Sequence, residues 1–523
     1  MSREPFTQSI RAVDFVHERF VEELGIEAPP FVDPTKAHPQ LKYLAAYVAS
    51  ESIRCKSLLI EEHYIDRDHM EDHSVFYSRN LYPYSNYCRR VHFFGVPKEE
   101  VEARLAALRE VQRTKGDEAC QKASDAFSEE SYIGFTVIKP LEGTPVGRTV
   151  LRSYPTEKPG QPTYHRRFTC VQVYEAHLGG ITLSVRGLPF QQQDKAVAAC
   201  ATTAIWSALH RTRKFEEIGT FTPAQITALA TRASLEHGRA MPSEGLSIDQ
   251  MCQAVQAIGV SPVLRKASDP REARGLLYSS LKSGVAPILI IANGRDFHAV
   301  TAVGMGIRED HEIEVDGGIG DRSARLEAIY VHDDRLGPYV RGDLVVLGVP
   351  EGRLFLRMKP EKLQKEQRWS LTHLLFPMHA KVRVTFGELR NAARRWVATR
   401  VESYRQELEG RGVKEAKHGP IEFETWIERA HSYHRWLLRP GVASDVSERL
   451  AKEISFSRYV GVIRVEAPFI DPIQVLIDTT STERNIFAIA VLAEATTKPA
   501  TKHAANYIAQ FLDCSERLLL PGD

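Results

Sequence analysis

Between residues 285 and 306 the chain reads VAPILIIANGRDFHAVTAVGMG, two runs rich in β-branched residues separated by a tight GRD turn. Side chains alternate along a strand, so His298, Val300 and Ala302 fall on one face. LLYSSLKSG, residues 276 to 284, reads as a helix stopped by Gly284 that feeds straight into these runs, and AIYVHDD and DLVVLGV extend the sheet signal behind them. Helical and strand periods alternate within one segment, so this part of the chain is neither all-helical nor all-β.

The segment ahead of it is FQQQDKAVAACATTAIWSALH, from Phe190 to His210. Ala204, Ile205, Ala208 and Leu209 recur at the spacing of one helical face, Trp206 extends it, and Gln191 to Asp194 form a polar loop in front. Cys200 therefore stands at the start of a buried helix, where the helix dipole favours a thiolate. The competing reading is a merely buried cysteine. Two further helices follow, one capped by Thr222 with Pro223 in its first turn, the other capped by Ser247 with Met251, Val255 and Ile258 inward and Gly259 as its stop.

Thiol catalysis needs a thiolate, an imidazole that passes the proton, a group that fixes the imidazole's tautomer and an oxyanion donor. His298 supplies the ring. Asp333 ends AIYVHDD on the face of Ile329 and Val331, an acid at the end of a rigid strand; Asp334 is expected to face the other way. Asp296 shares the parity of His298 but lies in the turn, which makes it the weaker partner.

Composition sets the frame for these residues. At 523 residues the chain is too long for one core, and roughly 150 residues per domain suggests about three or four. With 43% hydrophobic and 26% charged residues it reads as an ordinary globular protein, and a net charge of +1 removes the expectation of a whole-protein polyanion binder. No apolar run approaches the roughly 18 residues of a membrane span. The charged start MSREPFTQSIRAVDF lacks the apolar core of an export signal, and seven cysteines without a CxxC argue against a disulfide or zinc framework, so a cytoplasmic protein is expected.

Four other features carry weaker signals. His69 and His73 are four apart among Asp68, Glu71 and Asp72; a solvated helix face is expected there rather than a metal site. Tyr77, Tyr82, Tyr84, Tyr87, Phe93 and Phe94 read as packing, since no RNA-binding signature accompanies them. His165, Arg166 and Arg167 read as a solvated loop. The basic amphipathic run with Arg390, Arg394, Arg395 and Arg400 reads as a solvated exterior, with membrane or nucleic-acid contact as its alternative.

The order Gln, Cys, His, Asp, together with QQQD…AACATTAIWSAL, GLSIDQMCQAVQAIG, LKSGVAPILIIANGRDFHAVTAVG and IYVHDDRLGPY, resembles the papain-like C39-type cysteine peptidases over about residues 190–350. The resemblance implies Cys200 as nucleophile, His298 as base, Asp333 as orienter and Gln193 as oxyanion donor. Three positions depart from the family pattern. The usual glutamine position, six before the cysteine, is Asp194, so Gln191, Gln192 and Gln193 compete for the role; the glycine after the cysteine is Ala201; and Asp-Pro is replaced by Asp333-Asp334.

The expected fold class is α+β and multi-domain. A mainly helical N-terminal domain is expected over 1–130, a β-rich subdomain over 131–190, and a papain-like peptidase domain over 191–350, its cysteine helix packed on an antiparallel sheet carrying His and Asp. An α+β C-terminal domain with a recognition or regulatory role is expected over 351–523. The expected function is hydrolysis of peptide or isopeptide bonds without cofactor or metal, acting on a protein or peptide. The alternatives are a transglutaminase-like acyltransferase or amidase, and a catalytically inactive peptide-binding protein.

Overall fold

The computed structural model describes residues 10–26, 37–194, 196–197, 199–216, 218–233, 245–348, 352–358, 366–410, 412, 419–439, 448, 451–452, 456–468, 470–480, 485–486, 488–493 and 518–519. Across them helices and strands are mixed and the strands form several sheets. The chain divides into two compact units with interleaved segments: Met1–Lys266, Ala286–Gly306 and Ala328–Pro377 in the first, and Ala267–Val285, Ile307–Glu327 and Met378–Asp523 in the second. Boundaries at 130, 190 and 350 do not follow this division.

Residues 1–130 hold more helix than strand, and their strands belong to a sheet that runs past residue 130. Strands Ile10–Asp14, Ser57–Tyr64, Cys88–Phe94, Tyr132–Ile138 and Val146–Leu151 form a five-stranded sheet in that order, all neighbours antiparallel. Helices are present too, at Pro39–Ala49, Lys98–Lys115 and Asp117–Ser131. The run SLLIEEHY is ambiguous in sequence, because three consecutive apolar residues fit either period. The sheet is covered on both faces: Leu58 and Ile60 join one core with Leu44, Val48 and Phe93, while Leu59 joins another with Phe94, Leu105 and Phe127. Two-sided burial replaces alternation by a continuous apolar run.

The larger sheet of the first unit holds the candidate site. Ile288–Asn293, Asp296–Arg308, Leu326–Asp333, Gly337–Leu347, Arg353–Met358 and Gln367–His379 are hydrogen-bonded in sequence, and the last strand also pairs with the first, closing a ring of six. The sheet thus continues past residue 350. Gln161–Arg167 adds to it beside the strand Asp296–Arg308, which removes Arg166 from solvent: it is buried and donates from Nε to Pro155 O at 2.8 Å and from Nη2 to Glu157 O at 2.6 Å. The first two strands form a two-residue hairpin in which Asn293 pairs with Asp296 and Ile291 with His298. Gly294 takes φ +63° in that turn, a conformation that favours glycine.

The expected caps are present. Thr222 and Gln225 form a capping box on Pro223–Ala230, and Ser247 and Gln250 form one on Ile248–Ala257. The third helix begins earlier than its apolar pattern suggests, at Pro270, because Asp269 caps it and proline suits the first turn.

In the second unit, FETWIERAHSYHRWLL has a helical spacing of apolar residues throughout, yet its first part belongs to the strand Ile421–Arg429, which pairs in register with Tyr459–Ala467, and only Ala430–Leu437 is helix. Tyr459–Ala467 and Ile470–Asp478 pair antiparallel, as the β-prone runs YVGVIRVEA and IQVLIDTT predict, while the turn that the sequence predicts over 481–484 lies outside the described residues. The basic run departs from a solvated exterior at Arg390, while Arg394 is exposed. Helix Phe386–Ala398 buries Arg390, which bonds Asp321 at 2.5 Å, and Arg394 approaches the same carboxylate at 3.5 Å. The Arg390 guanidinium offsets the burial of Asp321 and holds its carboxyl below the usual range.

Candidate active site

Cys200 is the first residue of the helix Cys200–Glu216 and is half-buried. Small residues let this helix lie close to the strand that carries His298: Ala201, Ala204 and Ala208 are buried, and Thr301 Oγ1 donates to the Ala204 carbonyl at 2.8 Å. Thr301 is three residues past His298, so this bond ties the strand of the imidazole to the helix of the thiol.

The loop in front of Cys200 is held by Asp194. Its Oδ1 accepts from Ala196 N at 2.9 Å and Val197 N at 2.6 Å, and Lys139 Nζ lies 3.7 Å from Oδ2. The position where the family pattern has glutamine is thus given to anchoring the loop. Gln192 pairs with the edge of the N-terminal sheet, its Oε1 accepting from Val146 N at 3.2 Å. Gln191 is buried and its Nε2 has no hydrogen-bond partner; Gln193 is half-buried. An amide nitrogen left unpaired inside a protein is costly, and it suits a donor reserved for a bound oxygen.

His298 is fully buried by its side chain. Nε2 donates to Asp333 Oδ1 at 3.0 Å and lies 3.6 Å from Asp334 Oδ1. Nδ1 is buried with no hydrogen-bond partner, and the Cys200 thiol interacts with the ring so as to favour its proton. Burial alone would depress the ring's proton affinity. Asp333 and Asp334 outweigh it, together with Cys200, and raise the His298 pKa well above its ordinary value. These groups therefore favour a proton on the ring.

Asp333 ends the strand Leu326–Asp333, which lies next to the His298 strand in the sheet. Its Oδ1 also accepts the Arg335 backbone N–H at 2.9 Å. Burial pushes this carboxyl up, but His298 and the Arg335 amide prevail and lower its pKa. Asp334 does not face away as strand alternation predicts. Register shifts between Val331 and Asp333, and that irregularity lets both carboxylates reach the ring. Burial and the neighbouring Asp333 charge raise the Asp334 pKa to about 7, against the attraction of His298. Asp296 opens its strand and pairs with Arg335 Nη1 at 2.8 Å instead of with His298.

Two side chains escaped the sequence reading. Trp369 packs on His298 with ring centroids 5.7 Å apart, and the Arg335 guanidinium lies 5.9 Å from the centre of a Trp369 ring. Trp369 is 71 residues from His298 in sequence, and only closure of the strand ring brings them together. Arg335 was visible directly after Asp333-Asp334, but nothing local marked it.

His298, Asp333 and Asp334 place one ligand atom each within 4.8 Å of one another, a spacing that also suits a metal ion. The His298 Nε2–H that bonds Asp333 occupies the nitrogen such an ion would take. The 420 Å³ cavity lined by Glu62, His63, Tyr87 and Lys139 includes none of Cys200, His298 and Asp333.

The His69 and His73 pair is not a solvated face. His69, Asp68 and Asp72 are buried, and the two histidines bond the carbonyls of Ser85 and Tyr84, each at 3.0 Å from Nε2. Of the nearby aromatics, Tyr77 and Tyr84 pack with ring centroids 5.2 Å apart, while Tyr82 is exposed.

No family model matches this chain, and a search of curated proteins returns no match to it.

Proposed function

We propose that the chain is a thiol hydrolase that cleaves peptide or isopeptide bonds through Cys200, His298 and Asp333, and that it acts in the cytoplasm. The observation that carries this reading is the polarised ring of His298: one nitrogen is fixed by a buried carboxylate, the other has no hydrogen-bond partner, and the thiol at a helix start interacts with the ring. Among the described residues no helix is long and apolar enough to cross a membrane, which fits the proposed setting.

The chemistry follows from that arrangement. Cys200 passes its proton to His298, and the resulting thiolate attacks an acyl carbon. The oxyanion takes hydrogen bonds from the Cys200 backbone N–H and a glutamine amide, Gln193 by its spacing or Gln191 by its unpaired nitrogen. His298 gives its proton to the leaving amine as the C–N bond breaks. Water then attacks the thioester while His298 accepts its proton, and the acid leaves as the Cys200 thiolate reforms. An amine in place of water would give transfer instead of hydrolysis. Asp333 stays ionised throughout and holds the ring.

The test is labelling with an electrophilic thiol probe, followed by product masses from a peptide panel with and without added amine. Labelling at Cys200 that vanishes in Cys200→Ala, with products gaining the mass of water, supports hydrolysis. Labelling that persists at another cysteine overturns the assignment.

A further inference from the structure

Arg335 makes two separate connections at the candidate site. Its backbone N–H fixes Asp333. Its guanidinium turns the other way, to Asp296 at 2.8 Å and to Trp369, the residue that also covers His298. Arg335 and Asp296 are both partly exposed, with side-chain accessibilities of 37% and 54%, so this ion pair lies at a solvent-facing rim. The guanidinium also interacts electrostatically with Cys200. A permanent cation therefore stands at the rim of the site, held by an acid that has no bond to the catalytic ring.

We propose that Arg335 reads a negative charge beside the bond to be cleaved, and that Asp296 is a stand-in for that charge when no substrate is bound. The substrate class is an acidic peptide, with a carboxylate side chain or free carboxyl group next to the scissile carbonyl. This rests on the thiol-hydrolase reading, because it takes Cys200 as the reacting atom. An exposed ion pair is worth little by itself, since its charges are screened by water. Exchanging one carboxylate for another across a fixed, planar guanidinium therefore costs little, while a neutral group there would leave Asp296 in place. The Trp369 ring attracts the guanidinium from 5.9 Å and favours its position.

The experiment compares alkylation of Cys200 by iodoacetate, an anion, and by iodoacetamide, its neutral counterpart, in the full chain. In both, the thiolate forms a bond to the methylene carbon and iodide departs with the C–I electron pair, so only the reagent's charge differs. The rate ratio of iodoacetate to iodoacetamide is expected to fall about threefold to tenfold in Arg335→Gln, from Coulomb attraction over a few ångströms near a protein surface. It should be largely kept in Arg335→Lys and rise in Asp296→Asn, which frees the cation. Added salt should shrink the wild-type ratio. Neither substitution removes the backbone N–H that holds Asp333.

An unchanged ratio in Arg335→Gln, with Cys200 still alkylated by iodoacetamide, overturns the proposal. Normal ratios and variant effects without cleavage of any acidic or neutral peptide would sustain Arg335 as an anion reader and refute hydrolysis. A Cys200 inert to both reagents refutes both.

Discussion

One oxygen of Asp333 serves two donors, His298 Nε2 at 3.0 Å and the Arg335 backbone N–H at 2.9 Å. The carboxylate is thus fixed from the sheet on one side and from its own turn on the other. Its role is to keep the ring oriented and protonated, and that separates into geometry and charge.

Asp333→Asn separates them. The amide oxygen retains the hydrogen-bond positions, but the charge that raises the His298 pKa is lost. The expected result is a decrease in kcat/KM on the order of 10²-fold or more, with the alkaline limb of the pH profile moved to lower pH. Thermal unfolding should change little by comparison. A profile unchanged in position would assign the charge on the ring to Asp334 instead.

Stability should fall as pH rises toward neutrality and beyond. His298 has its folded pKa raised above the unfolded value, so its contribution is complete below about pH 6.5 and is lost as pH rises through the folded pKa. Asp334 acts in the same direction: its folded pKa of about 7 exceeds the ordinary carboxylate value of about 3.9, so the folded chain holds a proton that the unfolded chain has released across that interval. Asp334→Asn should therefore gain in melting temperature relative to wild type as pH is raised from 5 to 8. Melting curves across that range provide the check, and equal slopes for the two proteins would contradict it.

The glutamines preceding Cys200 should differ in kind. Gln191→Ala is expected to lower kcat on the order of 10²-fold, the typical cost of losing an oxyanion donor, because its buried nitrogen has no other partner. Gln192→Ala should instead lower stability by about 1 kcal/mol, since its oxygen bonds Val146 N. If Gln193→Ala shows the large loss in kcat, the spacing argument prevails over the unpaired nitrogen. Steady-state kinetics and denaturant melts distinguish the two types of loss.

In the second unit, Gly275 leaves room for the guanidinium of Arg390, and a methyl group at that position would collide with it. Gly275→Ala should displace Arg390 from Asp321 and cost about 3 kcal/mol, the scale of breaking a buried ion pair. Urea unfolding monitored through Trp396, on the same helix, measures it. A loss below about 1 kcal/mol would show that the arginine relocates without penalty.

How much of this was legible in sequence depended on the range of each interaction. The capping residues Thr222 and Ser247 and the hairpin carrying His298 were readable because their causes lie within a few residues. Ser57–Tyr64 and Ile421–Arg429 are not legible as strands, because burial on two faces, or a neighbouring strand in register, overrides short-range periodicity. Charged residues misled in a similar way. Arg166 and Arg390 look like surface residues until Pro155 O and Asp321 are placed beside them. Asp334 was misplaced because a register shift is invisible to a rule of strict alternation. Trp369 required the ring to close, which no local signal announces.

The closed ring of six strands has a consequence for how activity would be lost. It has no free edge from which strands can peel one by one, so amides around His298 should exchange with deuterium only when the ring opens as a whole. A covalent inhibitor on Cys200, joined to that strand through Thr301 and Ala204, would then slow exchange on strands it never touches. Heat inactivation and melting of this unit would be a single event seen by two instruments.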